Sequence, residues 1–286
     1  MRRVLVTGAG SFIGEAFRAR AALFPGEYGV DAVSLRGEDW HAADFSRYDS
    51  VLHVAGLAHV KYNDSMRERY MAVNRDLAVA AARKAKSDGC GHFLFLSSMI
   101  VYGPPARAGK TRIVRPDTPP APENAYGESK LEAEKGVLAL ADEGFRVAIL
   151  RLPTVYGKGC RGNYRTLSAW AGKLPVFPDI PGARSVLYVE NLAEFIRLLV
   201  DDRAAGYFYP QNAEFSTATD LMREIARVRG EKIAFTPFFN PVLRLLGAST
   251  LVRKAFGGIA YDEAMSAYPR DYRIVGFPES IRRTEE

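Results

Sequence analysis

The stretch that decides the fold lies at the amino terminus: Val4-Leu5-Val6-Thr7-Gly8-Ala9-Gly10-Ser11-Phe12-Ile13-Gly14. Val4-Leu5-Val6 is short, apolar and partly β-branched, and reads as a buried parallel strand. Glu15 to Leu23 then reads as a helix that Pro25-Gly26 stops. Between them, Gly8, Gly10 and Gly14 permit a tight turn. They let backbone N–H groups approach a pyrophosphate at the helix N-terminus, where the dipole favours anions. Ser11, Phe12 and Ile13 belong to the same turn. A second strand, Asp31 to Leu35, arrives at the spacing that a βαβ unit requires. A glycine turn alone is only a tight loop; in this order it reads as a dinucleotide site.

The residue at the end of the second strand selects the cofactor. An acid there accepts hydrogen bonds from the ribose 2′-hydroxyl, whereas an arginine accommodates a 2′-phosphate. Arg36 occupies that place, followed by Gly37 and then Glu38-Asp39. The cofactor is therefore expected to be NAD or NADP, with Arg36 favouring NADP. Which acid meets the adenine end, Asp39 or Asp44, stays open.

Composition bounds the rest. The chain has 286 residues, 48% hydrophobic and 25% charged, as in an ordinary globular α/β protein with a smaller appendage. A formal net charge of +6 suits anionic ligands, but bases and acids are interspersed, so no nucleic-acid partner is expected. Cys90 and Cys160 have no metal-ligand spacing and read as cytosolic thiols. No metal site is expected. No apolar run reaches the length of a membrane span, and no signal peptide is read at the start, so a cytoplasmic location is expected. The apolar and basic segment from Phe238 to Phe256 is read as packing into the core rather than lying on a membrane.

Along the chain, Val51 to Gly56 is the next buried strand, and its Ala55 and Gly56 let the backbone close over the adenine-ribose side of a dinucleotide. His53 reads as a packed strand residue. Arg67 to Lys86 reads as one long amphipathic helix, from whose middle Asn74 either braces the loop after the catalytic strand or faces solvent. His92 to Leu96 is another strand, with Ser97-Ser98 at the carboxyl end where open parallel sheets place their ligands. The Ser pair could equally cap a turn. Pro104 to Pro122 reads as an irregular loop.

That loop delivers the chain to Asn124-Ala125-Tyr126-Gly127-Glu128-Ser129-Lys130. On a helix, Tyr126 and Lys130 share one face, a turn apart. A fixed cation would favour the phenolate and turn Tyr126 into a proton acceptor. A Ser98 hydroxyl could bond the same substrate oxygen. Phe145 to Leu152 is a strand leading into Pro153-Thr154-Val155-Tyr156-Gly157. The division expected is a dinucleotide-binding domain over 1–157, with segments near 184–200 returning to it, and a mostly substrate-binding region over 158–286.

Thr7 to Gly14, Ser98 before Val101-Tyr102-Gly103, Tyr126-x-x-x-Lys130, and Arg151 before Val155-Tyr156-Gly157 together resemble the extended short-chain dehydrogenase/reductases. Within them the chain is most similar to the NAD-dependent epimerase/dehydratase family, which includes UDP-glucose 4-epimerase. The resemblance runs from Met1 to about Val200. It implies a modified Rossmann doubly wound parallel sheet with a smaller C-terminal α+β region holding a nucleotide sugar, and a homodimer. It implies Tyr126 as general base and acid, Lys130 holding the nicotinamide ribose and lowering the tyrosine pKa, and Ser98 assisting at the sugar hydroxyl. Asn163 would lie near the nucleotide sugar and Arg184 would face its diphosphate; without the resemblance, Arg184 reads as a surface ion pair. Three departures stand out: Ser11 at the family's middle glycine, Arg36 for the usual acid, and Thr154 where galactose-type epimerases carry asparagine.

The activity this implies is nucleotide-sugar epimerisation at hexose C4 through a 4-keto intermediate. The alternative is an NADPH-dependent 4-keto-sugar reductase of deoxysugar biosynthesis for surface polysaccharides, which Arg36 favours. Dehydration fits poorly, because those relatives carry Thr-Asp-Glu where this chain has Ser98-Met99-Ile100. A non-catalytic dinucleotide sensor would need the glycine turn but not Ser98, Tyr126 and Lys130 together.

Overall fold

The computed structural model describes residues 1–58 and 66–286. Its centre is a six-stranded parallel sheet. In chain order the first elements are β1 (Arg2–Thr7), α1 (Phe12–Ala21), β2 (Tyr28–Val33), β3 (Ser50–His53), α2 (Met66–Tyr70), α3 (Leu77–Ser87), β4 (His92–Ser98), β5 (Thr111–Val114), α4 (Ala125–Leu138), β6 (Arg146–Leu152) and β7 (Thr154–Tyr156). There follow α5 (Asn163–Ala171), β8 (Val176–Pro178), β9 (Val186–Tyr188), α6 (Val189–Asp202), β10 (Gly206–Phe208), α7 (Ala218–Arg229), β11 (Ala234–Thr236), α8 (Asn240–Leu245), α9 (Thr250–Phe256), β12 (Gly258–Tyr261) and α10 (Phe277–Glu285).

The sheet order is β10-β6-β4-β3-β1-β2. Both faces are covered, which explains the near-continuous apolar strands. Val4, Val6, Leu94, Leu96 and Leu150 point to one side, against Phe17 of α1 and Leu192, Phe195, Ile196 and Leu199 of α6. The alternate residues Leu5, Phe93, Phe95 and Ile149 point to the other, against Ala78, Ala81, Ala82 and Ala85 of α3 and Ala133 and Val137 of α4. The strand order reverses between β1 and β3, and such a switch point opens a crevice at the strands' carboxyl ends. Compared with the common dinucleotide-binding order, no outer strand lies beyond β2 among the described residues. Two 3₁₀ turns, Asp39–Ala42 and Phe45–Arg47, take its place and bury Trp40 and Phe45 instead.

Several expected boundaries shift. The second strand is Tyr28–Val33 rather than Asp31–Leu35: as an edge strand it is set by pairing with β1, from Arg2 opposite Tyr28 to Thr7 opposite Val33. The single helix expected over 67–86 is α2, a π-turn over Met71–Asp76, and α3. The loop expected over 104–122 contains β5, which pairs with β12 from far along the chain. A local reading could not see that partner.

Beyond β7 the chain builds a third core from Tyr156, Tyr164, Leu167, Phe177, Leu221, Met222, Ile225 and Ile281. The pairs β7–β9 and β8–β11 frame it. Meanwhile α6 packs on the main sheet and β10 extends its edge. The core packing expected for 238–256 holds only at its end, where Phe256 packs against the third core; Phe238, Leu245 and Leu251 are 80%, 84% and 77% exposed. Among the described residues no helix is long and apolar enough to cross a membrane. No cluster of three or more His, Cys, Asp or Glu gathers there to hold a metal. Cys90 and Cys160 are free and buried.

Candidate active site

The glycine turn sits at the switch point. Gly8 has φ of +104°, and a Cβ there would lie 3.0 Å from the Ala55 nitrogen, so the two loops meet backbone to backbone. Gly14 is buried where α1 crosses β1, with a Cβ position 3.0 Å from Val6 Cγ1. Gly10, at φ +73°, has nothing within 4 Å of its Cβ position. Ser11, the departure from the glycine pattern, is the N-cap of α1 and accepts a hydrogen bond from the Gly14 amide at 3.2 Å. The Gly8 and Ala9 amides bond Val33, while those of Gly10, Phe12 and Ile13 have no backbone partner among the described residues. Unpaired donors beside an open glycine at a helix N-terminus fit a pyrophosphate.

Arg36 is exposed, three residues beyond β2, and only its amide is tied down, donating to Ser34 Oγ at 3.2 Å. Asp44 caps the second 3₁₀ turn through the Ser46 amide at 3.0 Å, while Asp39 is exposed at the start of the first. Across the switch point, exposed Gly56 has a Cβ position 3.2 Å from Asn74 Oδ1 and 3.4 Å from Lys130 Nζ. Any side chain there would fill the cradle that these groups line.

Asn74 is fully buried in the π-turn. It accepts from the Leu57 amide at 2.7 Å and donates to the Leu57 carbonyl and to Ser129 Oγ, each at 3.1 Å. It thus braces the loop after β3, and not the turn that follows Ser98 at the end of β4. A π-turn rotates one residue out of helical register, and here it aims an amide inward.

Ser98 ends β4 and caps the following 3₁₀ turn, accepting from the Ile100 amide at 3.3 Å. Its hydroxyl also favours the Tyr126 phenolate by hydrogen bonding. Tyr126 lies in the first turn of α4, which Asn124 caps through the Gly127 amide at 2.8 Å. Burial dominates and pushes the phenol up to about 12, and Tyr70, whose ring centroid lies 5.8 Å away, adds to the rise. The expected lowering by Lys130 is not seen. The Lys130 ammonium donates to the Leu96 carbonyl at 2.8 Å and lies 4.8 Å from the Phe95 ring centroid. Burial pulls its pKa down to about 8, against the opposing pull of Glu134. His53 is a packed strand residue between Phe93 and Phe95, and burial lowers its pKa to about 3.

Behind Lys130, one turn further along the same buried face, stands Glu134. It accepts a two-pronged bond from Arg151, at 3.1 Å from Nε and 2.6 Å from Nη2, and a short one from Ser97. Arg151 also donates to Tyr102 Oη at 2.7 Å. Sequence reading noticed Arg151 but missed its partner. The available signal was the spacing Tyr126, Lys130, Glu134, which puts two charges on a face that must be buried.

Asn163 is the first residue of α5, half-buried, beside the buried Tyr164. Arg184 is neither a surface ion pair nor an open guanidinium. Its Nε donates to the Gly257 carbonyl at 2.6 Å and its Nη2 to the Lys254 and Arg253 carbonyls at 2.9 and 3.2 Å, closing the end of α9. Burial lowers its pKa to about 10. Only Nη1 remains for a ligand.

Residues 4–208 match the model of the NAD dependent epimerase/dehydratase family. The chain belongs to that family. Among curated members, the UDP-glucose 4-epimerase of Vibrio cholerae is 33% identical over 186 residues, 62% of this chain and 56% of that protein. The UDP-2-acetamido-2,6-beta-L-arabino-hexul-4-ose reductase of Pseudomonas aeruginosa is 26% identical over 226 residues, 78% of this chain and 53% of that protein. The chain thus spans little more than half of these relatives. Among solved structures, RMD from Pseudomonas aeruginosa complexed with NADPH superposes with a TM-score of 0.78, covering 99% of this chain and 98% of that one at 20% identity, a likeness of fold. Family members are NAD(P)-dependent epimerases and reductases, and the cradle described above fits such a dinucleotide. The arrangement can hold a cofactor across Gly10 and Gly56 and present a phenol and a hydroxyl to a substrate oxygen.

Proposed function

We propose that this protein moves a hydride and a proton at C4 of a nucleotide-linked hexose, and that its net reaction is reduction of a 4-keto sugar. The observation that carries the direction is Arg36, exposed three residues beyond β2 where a 2′-phosphate would lie, since NADPH is the usual reductant of biosynthesis; Tyr126, protonated at neutral pH like any tyrosine and pushed further up by burial, to about 12, is the matching acid. A protonated phenol is a general acid. It would donate to the C4 oxygen as hydride arrives at C4, leaving a phenolate that Ser98 stabilises and solvent reprotonates. When bound, the cofactor supplies the hydride. The chain's own part is to seat it: the Gly10, Phe12 and Ile13 amides on the pyrophosphate, Ala55 and Gly56 along the ribose, and Lys130 at the nicotinamide end, with buried Asn74 acting indirectly by holding the Leu57 loop. Arg36, exposed beyond β2, would take a 2′-phosphate, which makes NADPH the expected reductant. Asn163 and the free Nη1 of Arg184 are assigned to the nucleotide end of the substrate.

A second reading is epimerisation at C4, supported by the similarity to the UDP-glucose 4-epimerase of Vibrio cholerae. It needs Tyr126 to act first as base, so a bound oxidised cofactor would have to lower its pKa. Dehydration lacks its acid pair, because Met99 and Ile100 follow Ser98. One experiment separates these. Purified protein is incubated with UDP-sugars without added cofactor, and separately with NADPH and a nucleotide 4-keto sugar. Stoichiometric loss of NADPH absorbance with formation of the 4-hydroxy sugar supports reduction; epimer formation without added cofactor replaces it with the second reading.

A further inference from the structure

We propose that the surface formed by residues 238–256 docks on an anionic lipid bilayer. Six of the twelve exposed large apolar side chains among the described residues fall in this short stretch: Phe238, Phe239, Val242, Leu245, Leu246 and Leu251. Val242, Leu245 and Leu246 stand at i, i+3 and i+4, so they share one face of α8 and its continuation.

The exposure is not that of an unfinished core, because the opposite side of the segment is pinned. Asn240 Nδ2 donates to the Asp179 carbonyl at 2.8 Å, and Arg253 donates to the Pro105 carbonyl at 2.8 Å. Arg184 closes the last turn of α9. Buried Gly247 sits so close to the 107–108 backbone that a Cβ would lie 3.3 Å from the Ala108 nitrogen. Polar bonds hold the segment in place and turn its apolar face outward.

Charge chooses the occupant. From Lys232 to Tyr261 the chain carries Lys232, Arg244, Arg253 and Lys254 and not one Asp or Glu. Arg244 and Lys254 are exposed, and exposed Arg107 stands beside Gly247. On the pinned side, Asp179, whose backbone carbonyl holds Asn240, has its carboxylate paired with Arg223 at 3.6 Å. Apolar side chains rimmed by uncompensated cations match the boundary between acyl chains and anionic headgroups. A second copy of this chain fits poorly, because a two-fold contact would set these like charges against each other.

The test is co-sedimentation of the whole chain with vesicles of phosphatidylcholine alone and of phosphatidylcholine and phosphatidylglycerol in equal parts. Binding is expected to the second and not the first, to weaken as salt screens the rim, and to fall about fivefold for each of Arg244→Gln and Lys254→Gln. Leu245→Asp with Leu251→Asp should abolish it while leaving the circular dichroism spectrum and NADPH binding unchanged. The proposal is overturned if the protein ignores the anionic vesicles at low salt or binds both kinds equally. It is also overturned if gel filtration shows a dimer that the Leu245→Asp, Leu251→Asp variant splits, since the face would then belong to a second copy.

Discussion

Tyr126 and Lys130 share a helix face but not a hydrogen bond, and their titration behaviour follows from where each side chain is held. The phenol is shifted up to about 12 by burial and the ammonium down to about 8 by the same cause. Tyr126→Phe removes the proton donor and should lower kcat by roughly 10²–10⁴ with NADPH affinity unchanged, as read by fluorescence titration. For Lys130 the sign follows directly: a depressed pKa means the charge is present below about 8 and lost as pH rises through it. Cofactor affinity should therefore fall above that pH, and Lys130→Arg should move the fall to higher pH. Arg36→Asp removes the group assigned to the 2′-phosphate and should raise the KM for NADPH roughly ten- to a hundredfold while sparing NADH, measured by steady-state kinetics with each cofactor. These residues were legible in the sequence because their spacing and order carry the chemistry. The orientation of Lys130 toward the Leu96 carbonyl was not, because a backbone acceptor on a neighbouring strand leaves no mark on local sequence.

At the scale of elements, α4 is tied to the sheet by the buried Glu134–Arg151 pair, with side-chain exposures of 0% and 7%. Glu134→Ala would strand a buried guanidinium and should destabilise the protein by about 3–5 kcal/mol, read from the urea midpoint. Glu134→Gln, which keeps hydrogen bonding, should cost less. The parallel strands and α1 were readable, since apolar runs and glycine punctuation are local signals. Two elements were not. The π-turn over Met71–Asp76 looks like helix in sequence, and its register change answers Leu57, a loop residue elsewhere. The strand β5 lies in a proline-rich stretch, and its identity comes from β12 alone.

At the scale of the molecule, the two regions interlock: α6 and β10 return to the main sheet, β5 joins β12, and Tyr261 Oη bonds the Arg151 carbonyl at 2.8 Å. Such crossing predicts one cooperative unfolding unit. Trp40 lies buried beside the main sheet and Trp170 lies on α5, so each region has its own reporter. In Trp40→Phe and Trp170→Phe variants, the fluorescence of the remaining tryptophan should report the same urea midpoint as circular dichroism within each variant; separated midpoints would mean two independent domains. The sequence by itself determined the dinucleotide turn, the parallel strands and the order of Ser98, Tyr126 and Lys130, because turn chemistry, apolar periodicity and motif spacing act between near neighbours. Only the tertiary structure decided that Arg184 caps α9, that Lys130 bonds the Leu96 carbonyl, and that the apolar face from Phe238 to Leu251 looks outward. Each depends on a partner, or the lack of one, that folding alone brings near.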